Sequence, residues 1–362
     1  MSLKCGIVGL PNVGKSTLFN ALGSAKAEAA NYPFCTIEPN VGVVSIPDSR
    51  LQELSKIMKS QKTVPAMTEI VDIAGIVKGA SKGEGLGNQF LSHIRQVDAI
   101  IHLTRCFVNE DIVHVDGSVD PARDIEVINT ELILADLQTI DKRLDRERRA
   151  AKTGDKEAIK NLEIFEPLTK HLNEGKPARS FHIDPLEKHR IHDLFLLTAK
   201  PVLYVSNSTG KPEEKQYVDK VEEIAKKENA QFIVLDCGLE SEIAQLPEED
   251  RKEFLAGMGL EEPGLNRFIR AAYDLLGLCT YYTLGPKEAR AWTISKGTKG
   301  PQAAGVIHTD FERGFICAEC YKSDDLIKFG SEQKIKEAGQ YRQEGKEYVV
   351  QPGDVLLFRF NV

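Results

Sequence analysis

The octapeptide Gly9-Leu-Pro-Asn-Val-Gly14-Lys15-Ser16 fills every required position of G-x-x-x-x-G-K-[ST]. Glycines at both ends let backbone N–H groups turn inward on a phosphate chain, the lysine reaches the β- and γ-phosphates, and the serine hydroxyl can take Mg²⁺. In this reading Asn12, Val13, Gly14, Lys15, Ser16 and Thr17 cradle a nucleotide, Lys15 also serves catalysis by stabilising charge, and Ser16 is a metal ligand. A glycine turn that only joins a strand to a helix would leave the Lys-Ser pair unexplained. Further on, Glu69-Ile-Val-Asp72-Ile-Ala-Gly75 puts an Asp at a strand end and a Gly three residues later. A Mg²⁺-side carboxylate and a backbone amide that senses the γ-phosphate need that spacing. Between the two motifs, Thr36 lies in the Pro-punctuated segment Asn31–Asn40 and is the expected second hydroxyl ligand to the metal. The glycine-rich stretch Gly75–Gly87 then reads as a mobile switch segment.

Two positions depart from the usual GTPase plan. A guanine-reading site carries Asn-Lys-x-Asp after a strand, whereas here the strand ends Ser206-Asn207-Ser208-Thr209-Gly210 without the Asp. Adenine lacks guanine's N1–H and N2–H₂ donors, so losing that carboxylate removes the preference for guanine and leaves Asn207, Ser208 and nearby backbone to read the base. ATP becomes the expected ligand. The Gln that orients the attacking water in Ras-like proteins is replaced by Ile76, which has no hydrogen-bonding group. His114 reads either as the substitute that positions water or as a solvent-exposed loop histidine. The amide oxygen of Asn12 could also share a K⁺ ion with the phosphates.

The elements that must hold these groups follow from periodicity. Apolar runs at Cys5–Gly9, Thr68–Ile73, Ala99–Leu103, Val202–Val205 and Phe232–Leu235 read as buried strands of a mostly parallel α/β sheet. Between 125 and 199 apolar residues recur at spacings of three and four, predicting two helices broken at Thr153-Gly-Asp155 and running antiparallel as an arm, with Pro167 an expected kink. The cations Lys142, Arg143, Arg146, Arg148, Arg149 and Lys152 near its tip read either as a solvated face or as an RNA contact. From Thr280 the texture turns to short β-rich pieces, including Glu347–Val350. The expected domains are 1–124 with 200–278 for the nucleotide, 125–199 for the arm and 279–362 for a small β domain.

Composition bounds the rest. The 362 residues carry 47 Lys+Arg against 54 Asp+Glu, a net charge of -7, which argues against a dedicated nucleic-acid coat; no DNA partner is expected. Seven cysteines sit mostly alone in apolar runs, as reduced thiols of a cytoplasmic protein do, and the lone pair Cys317-x-x-Cys320 reads better as strand than as a zinc site. With no apolar stretch near the roughly 18 residues that span a bilayer, neither a signal peptide nor a membrane partner is expected.

Together, Gly9–Ala21, Asn31–Asn40, Asp72–Phe90 and Pro301–Phe311 closely resemble the YchF/Obg-like ATPases, a branch of the translation-factor-related P-loop GTPases, over nearly the whole chain. The resemblance implies a P-loop NTPase domain interrupted by a helical coiled-coil arm, followed by a C-terminal TGS domain of β-grasp fold. It further implies ATP preferred over GTP, slow hydrolysis, and association with the ribosome, through the large subunit and its rRNA. The family replaces the catalytic Gln by a hydrophobic residue, as Ile76 does, and a loop histidine matching His114 is its proposed substitute. Its altered base motif is Asn-x-x-Glu, where this chain has Gly210 in the Glu place. A GTPase translation factor and a nucleotide-gated binding module with negligible turnover are the alternatives.

Overall fold

The computed structural model describes residues 3–29, 40–73, 86–114 and 117–361, and the side chains of all of these except 24–29 and 86. Its strands are β1 (Lys4–Val8), β2 (Val41–Ser45), β3 (Lys62–Val64), β4 (Met67–Asp72), β5 (Ala99–Arg105), β6 (Val202–Asn207), β7 (Gln231–Leu235), β8 (Leu278–Leu284), β9 (Glu288–Ser295), β10 (Phe315–Lys322), β11 (Arg342–Glu344) and β12 (Asp354–Phe360). The five strands expected of the parallel sheet are all present. They stand in the order β2-β4-β1-β5-β6-β7, with β1 parallel to β4 and β5, β5 to β6, and β6 to β7. Every residue of β5 and β6 is buried, which is why these segments read as unbroken apolar runs rather than alternating ones.

The chain divides into two compact units, one of Met1–Gly42 with Glu69–Phe268 and the other of Val43–Thr68 with Ile269–Val362. In the first unit α1 (Lys15–Ala29) follows the glycine loop, whereas α2 (Ser49–Met58) belongs to the second unit. After α3 (Leu86–Arg95) and β5 come α4 (Pro121–Lys152) and α5 (Lys156–Asn173), the two helices of the arm. The break between them falls where expected. Gly154 adopts φ 87° and Asp155 caps α5, its Oδ1 accepting from the amides of Glu157 at 2.9 Å and Ala158 at 3.2 Å. Ile140 and Leu144 of α4 bury against Phe165, Leu168 and Leu172 of α5, and α5 continues through Pro167 to Asn173. Glu147 reaches Asn161 and Arg148 reaches Glu166, so the two helices pack side by side, and because only the short break at 153–155 joins them they run antiparallel.

The second unit is a mixed sheet in the order β11-β10-β12-β8-β9-β3, with β12 parallel to β8 and β3 parallel to β9. Helix Gly300–Ile307 sends Ala303 and Ala304 into a core with Tyr281, Phe315 and Phe358, and the Tyr281 hydroxyl donates to the Ala303 carbonyl at 2.9 Å. Two features differ from the sequence expectation. Residues 43–68, placed by spacing with the nucleotide domain, group with this sheet because Lys62–Val64 pair with Glu288–Arg290, the Ser60 hydroxyl donates to the Gly285 carbonyl, and the Asp48 carboxylate accepts from the Tyr282 hydroxyl at 2.5 Å. Glu347–Val350 forms only a single bridge, Val349 with Lys299. The buried Asp354 carboxylate draws this segment into a turn by accepting from the Tyr348 hydroxyl and the Gln351 amide. Cys317 and Cys320 lie buried in β10, and among the described residues no group of three His, Cys, Asp or Glu side chains could hold a metal ion.

Candidate nucleotide-binding site

The site opens at the carboxyl ends of β1, β5, β6 and β7, where an open parallel sheet places its ligands. Asn12, Gly14, Lys15, Ser16, Thr17, Phe107, Ile112, Asn207, Thr209, Asp236, Cys237 and Gly238 line a cleft of about 490 Å³. The loop after β1 is held tightly. A Cβ on Gly9 would stand 2.5 Å from the Leu103 carbonyl oxygen, and one on Gly14 would stand 2.4 Å from Asn207 Nδ2. Gly14 also adopts φ 103°, so both glycines are fixed by geometry as well as by their phosphate role.

Lys15 Nζ donates to the carbonyls of Gly9 at 2.9 Å and Leu10 at 2.8 Å, which points the ammonium along the inside of the loop. Burial lowers its pKa from 10.5 to about 8, against the pull of Asp72, and burial likewise raises the Asp72 carboxyl against the pull of Lys15. Asp72 Oδ1 is buried and accepts no hydrogen bond among the described residues. An orphaned carboxylate oxygen at the end of β4, with the Ser16 hydroxyl in the cleft wall, is a donor set that suits Mg²⁺. The remaining expected ligand, Thr36, lies outside the described residues, as do Ile76 and the glycine-rich stretch through residue 85.

Asn207 is buried at the end of β6 and acts as a clamp. Its Nδ2 donates to the Val13 carbonyl at 2.9 Å and its Oδ1 accepts from the Cys237 amide at 3.0 Å, tying the phosphate loop to the start of helix Cys237–Gln245. Ser208 is buried and turned away from the cleft, with its hydroxyl donating to Glu214 at 2.7 Å. Thr209 lines the cleft beside Asp236, whose Oδ1 accepts from the amides of Gly238 and Leu239.

Opposite stands the segment after β5. Arg105, buried at the strand end, donates to the carbonyls of Phe107, Asn109 and Ile112, and its guanidinium lies 4.5 Å from the Phe107 ring centre. One cation therefore shapes the loop that carries two cleft residues. Asn12, at φ 62°, reaches this loop by donating to the Val113 carbonyl at 3.1 Å. The neighbouring His114 is not solvent-exposed: its Nε2 lies 2.9 Å from the Asp124 carboxylate and its Nδ1 3.4 Å from Arg123 Nη2, both partners belonging to the first turn of α4. His114 adjoins the cleft through the backbone of Val113 rather than lining it. Spacing gave no sign of Arg105, Glu214 or Asp236, because Arg105 and Asp236 act on nearby backbone groups that carry no motif and Glu214 reaches a segment distant in sequence, at Val108. The polar residues at the strand ends were the signal available.

A family profile described as 50S ribosome-binding GTPase matches residues 4–147, and the C-terminal profile of YchF GTPases, described as a protein of unknown function, matches residues 278–361. The ribosome-binding ATPase YchF of Bacillus subtilis is 55% identical over 366 residues, and that of Escherichia coli O157:H7 is 55% identical over 363, each covering 100% of both chains. The solved YchF GTPase of Schizosaccharomyces pombe superposes with a TM-score of 0.89 at 39% identity, covering 99% of this chain and 98% of that one. Phosphate loop, helical insert and C-terminal unit thus agree in sequence and in shape along the full length, and this chain belongs to the YchF family.

Proposed function

We propose that this chain is a cytoplasmic, Mg²⁺-dependent nucleotide hydrolase that prefers ATP to GTP and works as a nucleotide-state switch on the ribosome, reaching the large subunit and its rRNA through the arm and the C-terminal unit. The observation that carries the reading is the Asn207 clamp. With its amide engaged by Val13 and Cys237, base selection falls to the turns after β6 and β7, and no Asp stands where a guanine-reading carboxylate would. The names of the bacterial relatives, ribosome-binding ATPases, support it.

In this reading the backbone of Asn12–Thr17 binds the phosphates, with Ser208 supporting the base side. Lys15 stabilises charge on the γ-phosphate as water attacks in line. Ser16 and Thr36, with Asp72 nearby, would hold Mg²⁺, which when bound neutralises charge on the β- and γ-phosphates. A K⁺ ion could sit at Asn12. His114 positions the water after giving up Asp124 or Arg123, so water positioning is tied to the loop that touches Asn12. Nucleotide state then biases the two switch segments and the root of the arm. As domains this reading takes 1–124 and 200–278, less residues 43–68, around the nucleotide, 125–199 as arm, and 279–362 together with residues 43–68 as β-grasp; the grouping of 43–68 with the C-terminal unit supports the last.

Calorimetric titration of nucleotide-free protein with ATP and with GTP in Mg²⁺ buffer tests this reading. ATP is expected to bind at least tenfold tighter, about 1.4 kcal/mol; equal or tighter GTP binding would replace it with a GTPase. Turnover measured alongside with His114→Ala should drop by roughly 10²-fold or more if the imidazole handles the water. A wild-type rate removes that role.

A further inference from the structure

The Glu214 carboxylate is completely buried, yet it belongs to no element of the phosphate site. It accepts four hydrogen bonds. Oε2 takes the Ser208 hydroxyl at 2.7 Å and the Thr209 amide at 2.7 Å, while Oε1 takes the Thr209 hydroxyl at 2.9 Å and the Val108 amide at 3.2 Å. Burial pushes its pKa up, but the donors from Ser208, Thr209 and Val108 together outweigh burial and leave it below the ordinary glutamate value, so it stays ionised at neutral pH. A buried carboxylate with every lone pair committed is a rigid joint.

The two segments it joins are the two sides of the base end of the cleft. Thr209 lines one side, and Phe107, next to Val108, lines the other. Between Asn207 and Glu214 the chain reverses at Gly210, which adopts φ 81°, a conformation that strains any residue with a side chain. That explains a departure noted in the sequence. The position four places into the base motif is taken by the residue the reversal needs, and a carboxylate returns to the motif from one turn further on.

We infer that Glu214 is the positioning residue for base recognition: it sets the width and backbone orientation of the base end by holding Ser208 and Thr209 against Val108, without touching the base. This rests on the nucleotide-binding reading above but not on which base is preferred. It predicts that loss of the carboxylate damages binding of the nucleoside and spares binding of the phosphates.

The test compares wild type with Glu214→Gln, an isostere that turns one acceptor into a donor facing Ser208 and Thr209. ATP, GTP and inorganic tripolyphosphate are each titrated in Mg²⁺ buffer. The expected result is ATP binding weakened tenfold or more and an ATP-to-GTP affinity ratio moved at least threefold, with tripolyphosphate affinity within twofold of wild type. Equal losses for ATP and tripolyphosphate, or no loss for either, would overturn the inference, the first because Glu214 would then be merely structural. Should Glu214→Gln fail to fold, Ser208→Ala removes one donor and serves the same comparison; a change in ATP affinity below twofold would overturn it. The wild-type ratio alone judges the ATP preference, so the two readings fail separately.

Discussion

At the scale of single residues, the site depends on placing charge in a part of the protein that disfavours it. Lys15 is half-buried against two carbonyls and titrates near 8, so in the free protein it begins to lose its proton just above neutrality. A polyphosphate ligand favours the charged form and raises that pKa. Binding therefore takes up a proton wherever the free lysine is neutral and the bound one is not. ATP affinity is expected to be flat from pH 6 to 7.5 and then to fall by up to tenfold per pH unit above about 8. Calorimetry at pH 7 and pH 9, in buffers of different ionisation enthalpy, reads both the affinity and the proton uptake; a pH-independent affinity with no uptake would refute it. The residues that carry chemistry directly, Lys15 and Ser16, are legible in the sequence because their roles follow from backbone next to them. Asn207 was legible as a base-motif residue but not as a clamp, since its partners Val13 and Cys237 lie far along the chain on either side. Arg105 stayed hidden because its partners are carbonyls that any residue could supply, and Glu214 because one of its donors, the Val108 amide, lies far along the chain.

At the scale of elements, periodicity found the five parallel strands and both arm helices, because each buries a continuous run or a regular stripe. It missed β3, three residues long and only partly buried, which no pattern of period two can announce. It also gave Glu347–Val350 as a strand from β-rich composition, where a single buried carboxylate, Asp354, bends the backbone instead. The arm depends on its seam. Phe165 is buried between α4 and α5 in the cluster with Ile140, Leu144 and Leu168, and Phe165→Ala should cost about 3–5 kcal/mol of local stability. Hydrogen exchange of α4 and α5 should rise sharply in that variant while ATP affinity stays within twofold, since no arm residue lines the cleft. Unchanged exchange in α5 would mean that the seam does not hold the arm. Of the cations near the tip, Arg148 pairs across the seam with Glu166 and Arg143 pairs with Glu147 within α4, while Lys142, Arg146, Arg149 and Lys152 are exposed.

At the scale of the whole molecule, the boundary between units is not a single cut in the sequence. Residues 43–68 contribute α2 and β3 to a sheet whose other strands all come after residue 277. A fragment of 279–362 alone would lack the β3 strand beside β9, the Asp48 acceptor for Tyr282, and part of β8. It is expected to be unfolded or self-associating, as open sheet edges are. Gel filtration and a thermal melt check this, and a monomeric fragment with a cooperative transition would contradict it. The same arrangement bears on how the protein is made. At roughly 5–20 residues per second, β3 is synthesised on the order of 10 s or more before β9, the strand it pairs with. The nucleotide-binding fold can close around its phosphate loop while this early segment still waits for its sheet, so the newborn chain passes through a stage in which one unit is finished and the other holds its first strand unpaired.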